Sequence, residues 1–204
     1  MGEPVCWLSG PQVEGARVVR VDGRLEAGLN GWEPVECDLP LEQAVWIGPV
    51  ARVLHGLDRV RHLPQETALV LGCGALGLLA VQLCPRYGAG RVVAASRSAR
   101  RLELAVELGA QAATPGVEAD LVLHCREGEW GEGQWALSKG GTLAFLDGPP
   151  DPVEFDTTRL HYDQLTVVGC SGYRREHAER ARELVPRLDT TRLVRWGVVR
   201  LAPG

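Results

Sequence analysis

A short apolar run, Ala68-Leu69-Val70-Leu71, meets Gly72-Cys73-Gly74-Ala75-Leu76-Gly77 and continues into a second apolar run that ends at Cys84. No other stretch narrows the choice of fold as far. Three glycines in six residues permit a turn too tight for side chains, and the flanking runs have the lengths of a buried strand and a buried helix. Pro85 and Gly88 stop that helix. The rhythm then repeats. Arg91–Ala95 reads as a strand and Ser98–Leu108 as a helix, with Ser98 an N-cap and Gly109 a C-terminal stop. Leu121–His124, Thr142–Leu146 and Leu165–Val168 read as three further strands. Helices are predicted over Gly133–Ser138 and Arg174–Leu188, the second broken in its last turn by Pro186, and a Val- and Trp-rich strand over Leu193–Leu201. Such alternation specifies an α/β fold, a doubly wound parallel sheet covered on both faces and preceded by a short N-terminal β segment.

The 38 residues ahead of this region are turn-rich, with Gly15–Leu25 reading as a strand that runs into an Asp22-Gly23 turn. Residues 39–63 are helical: Pro40 and Glu42 suit a helix start, Gly48-Pro49 interrupts or kinks it, and His55–Arg61 completes it. Three parts follow, residues 1–38, 39–63 and 64–204. With 45% hydrophobic and 24% charged residues, the chain has a globular composition rather than that of a disordered one. The net charge of -4 argues against a broad nucleic-acid surface. The longest apolar run, Ala75–Leu83, is too short to span a membrane. Six cysteines without a CxxC pair, and no secretory leader, read as reduced thiols of a cytoplasmic protein.

In its strand–loop–helix setting each loop glycine has a task. Gly72 makes the tight turn, Gly74 lets the backbone N–H groups of Ala75 and Leu76 approach a pyrophosphate, and Gly77 lets the helix pack close to the sheet. This is the dinucleotide fingerprint of a Rossmann-type fold; the other reading is a tight βα turn in a domain that has lost its ligand. About 20 residues on, where an NAD-binding protein places an acid for the ribose 2′-hydroxyl, the chain reads Ala94-Ala95-Ser96-Arg97-Ser98-Ala99-Arg100-Arg101. A carboxylate would repel a 2′-phosphate, whereas the Ser96 hydroxyl and the Arg97 and Arg101 guanidinium groups bind one with charge-assisted bonds. The expected cofactor is NADP(H), against the alternative of an arginine-rich solvated helix start.

Taken in order, Leu39-Pro-Leu-Glu-Gln-Ala-Val-Trp-Ile-Gly-Pro-Val, the glycine loop, Arg101-Leu-Glu-Leu-Ala-Val-Glu-Leu-Gly-Ala, Ser138-Lys-Gly-Gly-Thr-Leu and His161-Tyr-Asp-Gln-Leu-Thr-Val-Val-Gly-Cys resemble the medium-chain dehydrogenase/reductase superfamily, the alcohol and polyol dehydrogenases. The resemblance covers roughly residues 39–190, and His161–Gly169 looks most like the polyol, sorbitol and threonine dehydrogenase branch. That branch carries a catalytic zinc in a separate N-terminal domain, and zinc requires three or four placed Cys, His or carboxylate ligands. The Gly-His-Glu motif and the cysteine-rich lobe are absent here, and Gly48 stands before Pro49 where the polyol enzymes have Glu. The expectation is therefore a truncated member without metal, residues 1–38 being the remnant of the zinc-bearing domain and 39–63 the hinge helix region.

The fold directs His124 and Cys125, at the end of their strand, toward a nicotinamide, with wall residues as the plainer reading; the resemblance adds Leu146 and Gly148 beside it. His124 is the candidate catalytic proton donor, with Tyr162 and Tyr173 behind it. Trp130 and Trp135 are candidates to cover the site, or core residues. Glu127, Glu129 and Glu132 lack metal-like spacing and read as a solvated loop; His55, His62 and His177 read as surface residues, and His161 as packed before its strand. Two functions follow. One is a zinc-free NADP(H)-dependent oxidoreductase that moves hydride between the nicotinamide and a small carbonyl, alcohol or quinone-like substrate. The other is a catalytically degenerate NADPH-binding module, a sensor or a partner subunit. The resemblance also implies a homodimer through the last strand of the sheet, Leu165–Gly169.

Overall fold

The computed structural model describes residues 3–9, 13, 16–21, 24–29, 34–60, 66–125, 136–147 and 154–203. They form two compact units, residues 1–55 with 172–204, and residues 56–171.

The second unit is built on a six-stranded sheet of β5 (Thr67–Leu71), β6 (Arg91–Ala95), β7 (Gln111–Ala112), β8 (Ala119–His124), β9 (Leu137–Phe145) and β10 (Thr166–Gly169). The order is β10-β9-β8-β5-β6-β7, and every neighbouring pair is parallel. Buried on both faces, β5 is nearly all apolar, as a central parallel strand must be. Leu69 and Leu71 join Val93, Val122 and Leu143 in an apolar cluster, while Val70 lies against the other face, under the helix α3 (Ala75–Leu83). In α3 every residue except Gln82 is buried, so the helix has no polar face to turn to water. A short 3₁₀ turn, Cys84–Tyr87, ends it where Pro85 removes a donor.

Helix α4 (Ala99–Glu107) starts at Ser98, whose hydroxyl accepts the Arg101 N–H. Asp156 caps the short α5 (Thr157–Tyr162) in the same way, accepting the Thr158 and Arg159 N–H groups. The helix expected over Gly133–Ser138 is not found at its end: Leu137 and Ser138 already belong to β9, and residues 133–135 lie outside the described ones.

The first unit carries an antiparallel sheet in the order β11-β1-β2-β3-β4, with β1 (Glu3–Ser9), β2 (Ala16–Val21), β3 (Arg24–Leu29), β4 (Val35–Glu36) and β11 (Arg200–Pro203). Two helices follow β4, α1 (Leu41–Ala44) and α2 (Ile47–Arg59), the latter running past the unit boundary. The break between them falls at Val45-Trp46, ahead of Gly48-Pro49. Pro49 has no N–H to give the Val45 carbonyl, so it fits the first turn of a new helix rather than the middle of an old one. Toward the C-terminus, α6 (Arg175–Leu184) matches its expected span, with Val185–Arg187 as a 3₁₀ turn around Pro186.

Two expectations are corrected here. Residues 193–201 are not one strand: α7 (Thr190–Arg195) is a helix capped by Asp189, and β11 starts only at Arg200. Residues 172–204, expected to continue the part that begins at residue 64, belong instead with the N-terminal unit, because β11 pairs with β1, Leu8 opposite Leu201. Local composition did not announce either change, since β11 is a strand only by virtue of its partner.

Candidate functional site

The parallel register brings the loops that matter to one edge. Leu71 stands opposite Ala95 on one side and His124 on the other, His124 opposite Phe145, and Phe145 opposite Gly169. From β5 the chain steps outward to β6 and β7, then crosses back to β8, β9 and β10 on the other side. The strand order therefore reverses between β5 and β8, where open α/β sheets bind their ligands at the carboxyl ends of the strands.

The glycine loop opens there. Gly72 has φ of +94°, in the left-handed region that glycine enters without a steric penalty, and its N–H donates to the Ala95 carbonyl at 2.8 Å. Gly74 is the N-cap of α3 in extended conformation with no side-chain cap bond, and its carbonyl accepts the Leu78 N–H at 2.9 Å. The amides of Ala75, Leu76 and Gly77 thus lie in the first helical turn, where no intrahelical acceptor exists and the helix dipole is positive. At Gly77 a Cβ would lie 1.9 Å from the Gly72 oxygen, so the loop is folded back on the helix more closely than any side chain allows. These features fit a dinucleotide pyrophosphate, both in the room they leave and in the donors they offer.

Across the edge, Ser96, Arg97 and Arg101 sit at the end of β6 and the start of α4. The Ser96 hydroxyl accepts the Ser98 N–H at 3.3 Å; Arg97 is exposed and Arg101 half-buried. Between this turn and the glycine loop lies Cys73. Burial pushes its thiol up to about 11, against a hydrogen bond from Ser96 and the positive charge of Arg101, which pull it down. The turn after β6 and the glycine loop therefore meet at one sulfur. Cysteine within a glycine motif was visible in the sequence, but only contact with Ser96 distinguishes it from the other thiols.

The residues expected beside a nicotinamide are more enclosed. His124, Cys125 and Leu146 have no exposed surface, the His124 ring packs 5.6 Å from Phe145, and its carbonyl accepts the Leu146 N–H at 3.0 Å. Leu146 also fills the notch at Gly56, in the part of α2 that belongs to this unit. Gly148, Trp130, Trp135, Glu127, Glu129, Glu132 and His62 lie outside the described residues. Tyr162 is 70% exposed, but it precedes β10 and so stands at the opposite, amino edge of the sheet. Tyr173 is buried in the first unit with its hydroxyl at Gly28. Tyr162 therefore does not belong to this edge.

Other histidines depart from expectation too. His177 is buried rather than on the surface: its Nδ1 accepts the Arg174 N–H at 3.0 Å, and its ring meets His55, which is half-buried, edge-on at 4.9 Å. His161 is exposed rather than packed, stacked edge-on with Tyr162. Among the described residues no group of three or more His, Cys, Asp or Glu is arranged to hold a metal, and no helix is long and apolar enough to cross a membrane. A groove of about 570 Å³ lies away from the glycine loop, in the first unit. Its arginines are engaged, Arg24 with the Glu36 carboxylate at 2.8 Å and Arg182 with the Glu36 carbonyl at 3.2 Å, so we assign the chemistry to the sheet edge instead.

Residues 75–189 match the family described as zinc-binding dehydrogenase. L-Threonine 3-dehydrogenase of Bacillus subtilis is 32% identical over 124 residues, which are 52% of this chain and 36% of that protein. Sorbitol dehydrogenase of the same organism is 30% identical over 106 residues, 52% of this chain and 29% of that one. A candidate zinc-binding dehydrogenase from Sinorhizobium meliloti 1021, solved bound to NADP, superposes with a TM-score of 0.73 and 27% identity, over 79% of this chain and 54% of that one. The chain thus spans about a third of the length of these two relatives and about half of that structure.

Proposed function

The chain belongs to the zinc-binding dehydrogenase family, and from that premise we propose that it binds NADP(H) along the carboxyl edge of the second unit and serves hydride transfer to or from a small carbonyl, alcohol or quinone-like substrate. The observation that carries this reading is the glycine loop bonded to Ala95 at the end of β6 and facing Ser96 and Arg101 at Cys73, with no carboxylate in the turn that follows. The amides of Ala75 and Leu76 and the dipole of α3 hold the pyrophosphate, and Ser96 with the two arginines holds the 2′-phosphate. When bound, the nicotinamide supplies the hydride; the chain orients it and excludes water with Cys125 and Leu146. The Sinorhizobium protein solved with NADP supports the phosphorylated cofactor. Fluorescence titration tests it: NADPH should bind at least tenfold more tightly than NADH, and equal affinities would overturn the assignment.

Metal independence forms part of the proposal. It rests on the missing Gly-His-Glu motif, and NADPH oxidation unchanged by EDTA is the expected result. His124 is the proposed proton donor, although its complete burial favours the second reading, a module that binds NADPH without turnover. A panel of aldehydes, ketones and quinones separates the two: turnover with any of them supports the enzyme, and tight NADPH binding with none supports the module. We further propose a homodimer through β10, an edge strand with Thr166, Val167 and Gly169 exposed, in a reducing cytoplasmic setting.

A further inference from the structure

Cys73 sits between the first two glycines of the loop, is 1% exposed, and plays no part in the binding described above. Its Sγ–H donates to the Ala95 carbonyl at 3.8 Å, and the same carbonyl accepts the Gly72 N–H at 2.8 Å. Two successive loop residues therefore grip the last residue of β6. Ser96 comes next, its hydroxyl turned by the Ser98 N–H, and Ser98 in turn caps the helix that carries Arg101. From Gly72 to Arg101 the connection is continuous, and Cys73 supplies the side-chain link in it.

We infer that Cys73 is a positioning residue for cofactor choice: its bond to the Ala95 carbonyl holds the glycine loop and the Ser96–Arg101 turn at one spacing, so that a single dinucleotide meets the pyrophosphate donors and the 2′-phosphate donors together. This rests on the NADP(H) reading above. A dinucleotide without the 2′-phosphate needs the loop but not the turn, so a shift of the turn leaves it nearly unaffected. The phosphorylated one is held at both ends, and charge-assisted hydrogen bonds weaken when donors move by a few tenths of an ångström. Burial keeps the thiol protonated at neutral pH, with its ionisation pushed up to about 11, so the sulfur remains a donor under the conditions of binding.

The test measures Kd for NADPH and NADH by titration of the purified chain and its Cys73→Ala and Cys73→Ser variants, with thermal unfolding as the folding control. Loss of one hydrogen bond predicts that Cys73→Ala weakens NADPH binding about five- to tenfold while NADH stays within about twofold. Cys73→Ser keeps a donor and should recover most of the discrimination. Should the alanine variant not fold, Cys73→Val, which also lacks a donor, takes its place and is read by the same outcomes. Equal weakening of both cofactors in Cys73→Ala, or unchanged binding of both, overturns it and reduces Cys73 to a packing residue. If the parent chain itself binds NADH as tightly as NADPH, the NADP(H) reading fails first, an outcome recognisable before any variant is made.

Discussion

At Gly77 a methyl group has no place to go, because the atom it would meet at 1.9 Å is the backbone oxygen of Gly72, which moves only with the loop. Gly77→Ala should therefore lower NADPH affinity more than tenfold and lower the melting temperature, overpacking of this kind costing about 1–3 kcal/mol. A variant that binds normally would show that the loop is not under this constraint. Two buried thiols make a second prediction. Cys73 is raised to about 11 and Cys84 to about 12, both by burial, from an ordinary value of 9.0. A thiol with a raised folded-state pKa stays protonated when the unfolded chain would ionise, so its contribution to stability is complete below pH 9.0 and is lost as pH rises above it. Between pH 9.0 and the folded value, about 11 for Cys73 and about 12 for Cys84, each pH unit removes about 1.4 kcal/mol per thiol. Urea unfolding at pH 8.5 and pH 10 should show the fall, and Cys84→Ala should flatten it. The glycine loop and the Ser98 cap were legible in the sequence because steric freedom and capping are properties of a few consecutive residues. The burial of His177 was not: its polar neighbours along the chain say nothing about what packs on it.

Among the elements, α2 shows how a residue can be poor for its helix and right for its place. Gly56 lies inside α2, where glycine costs about 1 kcal/mol relative to alanine. An alanine Cβ there would come within 2.0 Å of Leu146 Cδ2 and 3.6 Å of Cys170 Cβ. Because the first of these is the end of a flexible side chain, Leu146 can rotate away. The helix gains and the packing loses, so Gly56→Ala should change stability by less than about 1.5 kcal/mol. If Leu146 borders the nicotinamide, the same variant should weaken NADPH but leave 2′,5′-ADP, which lacks that ring, unchanged. Equal effects on both ligands would remove Leu146 from the site. The strands β5, β6 and β8 were evident as apolar runs between turn residues, since a central parallel strand has no polar face to blur its limits. The short β7, Gln111–Ala112, was invisible because two exposed residues carry no periodicity and become a strand only through pairing with β6.

For the molecule as a whole, the two ends of the chain share one sheet, β11 pairing with β1. Deleting residues 199–204 should strip that edge and lower the stability of the first unit, read by its tryptophan fluorescence, while the NADPH binding proposed for residues 56–171 should persist. Loss of binding in this variant would show that the second unit depends on the first. From the amino-acid order alone came the α/β class, the strand–glycine–helix turn and the proposal of a 2′-phosphate at Ser96, Arg97 and Arg101, because each depends on local sterics, periodicity or charge. Sequence also placed the end of the chain with its nearest neighbours along the backbone. Folding placed it elsewhere: α7 and β11 return to the N-terminal unit, Tyr162 falls at the amino edge of the parallel sheet, and Cys73 comes against Ser96, 23 positions away. These outcomes turn on which surfaces meet across long stretches of chain, and partners of that kind are chosen by burial and backbone pairing, to which neighbouring residues contribute little.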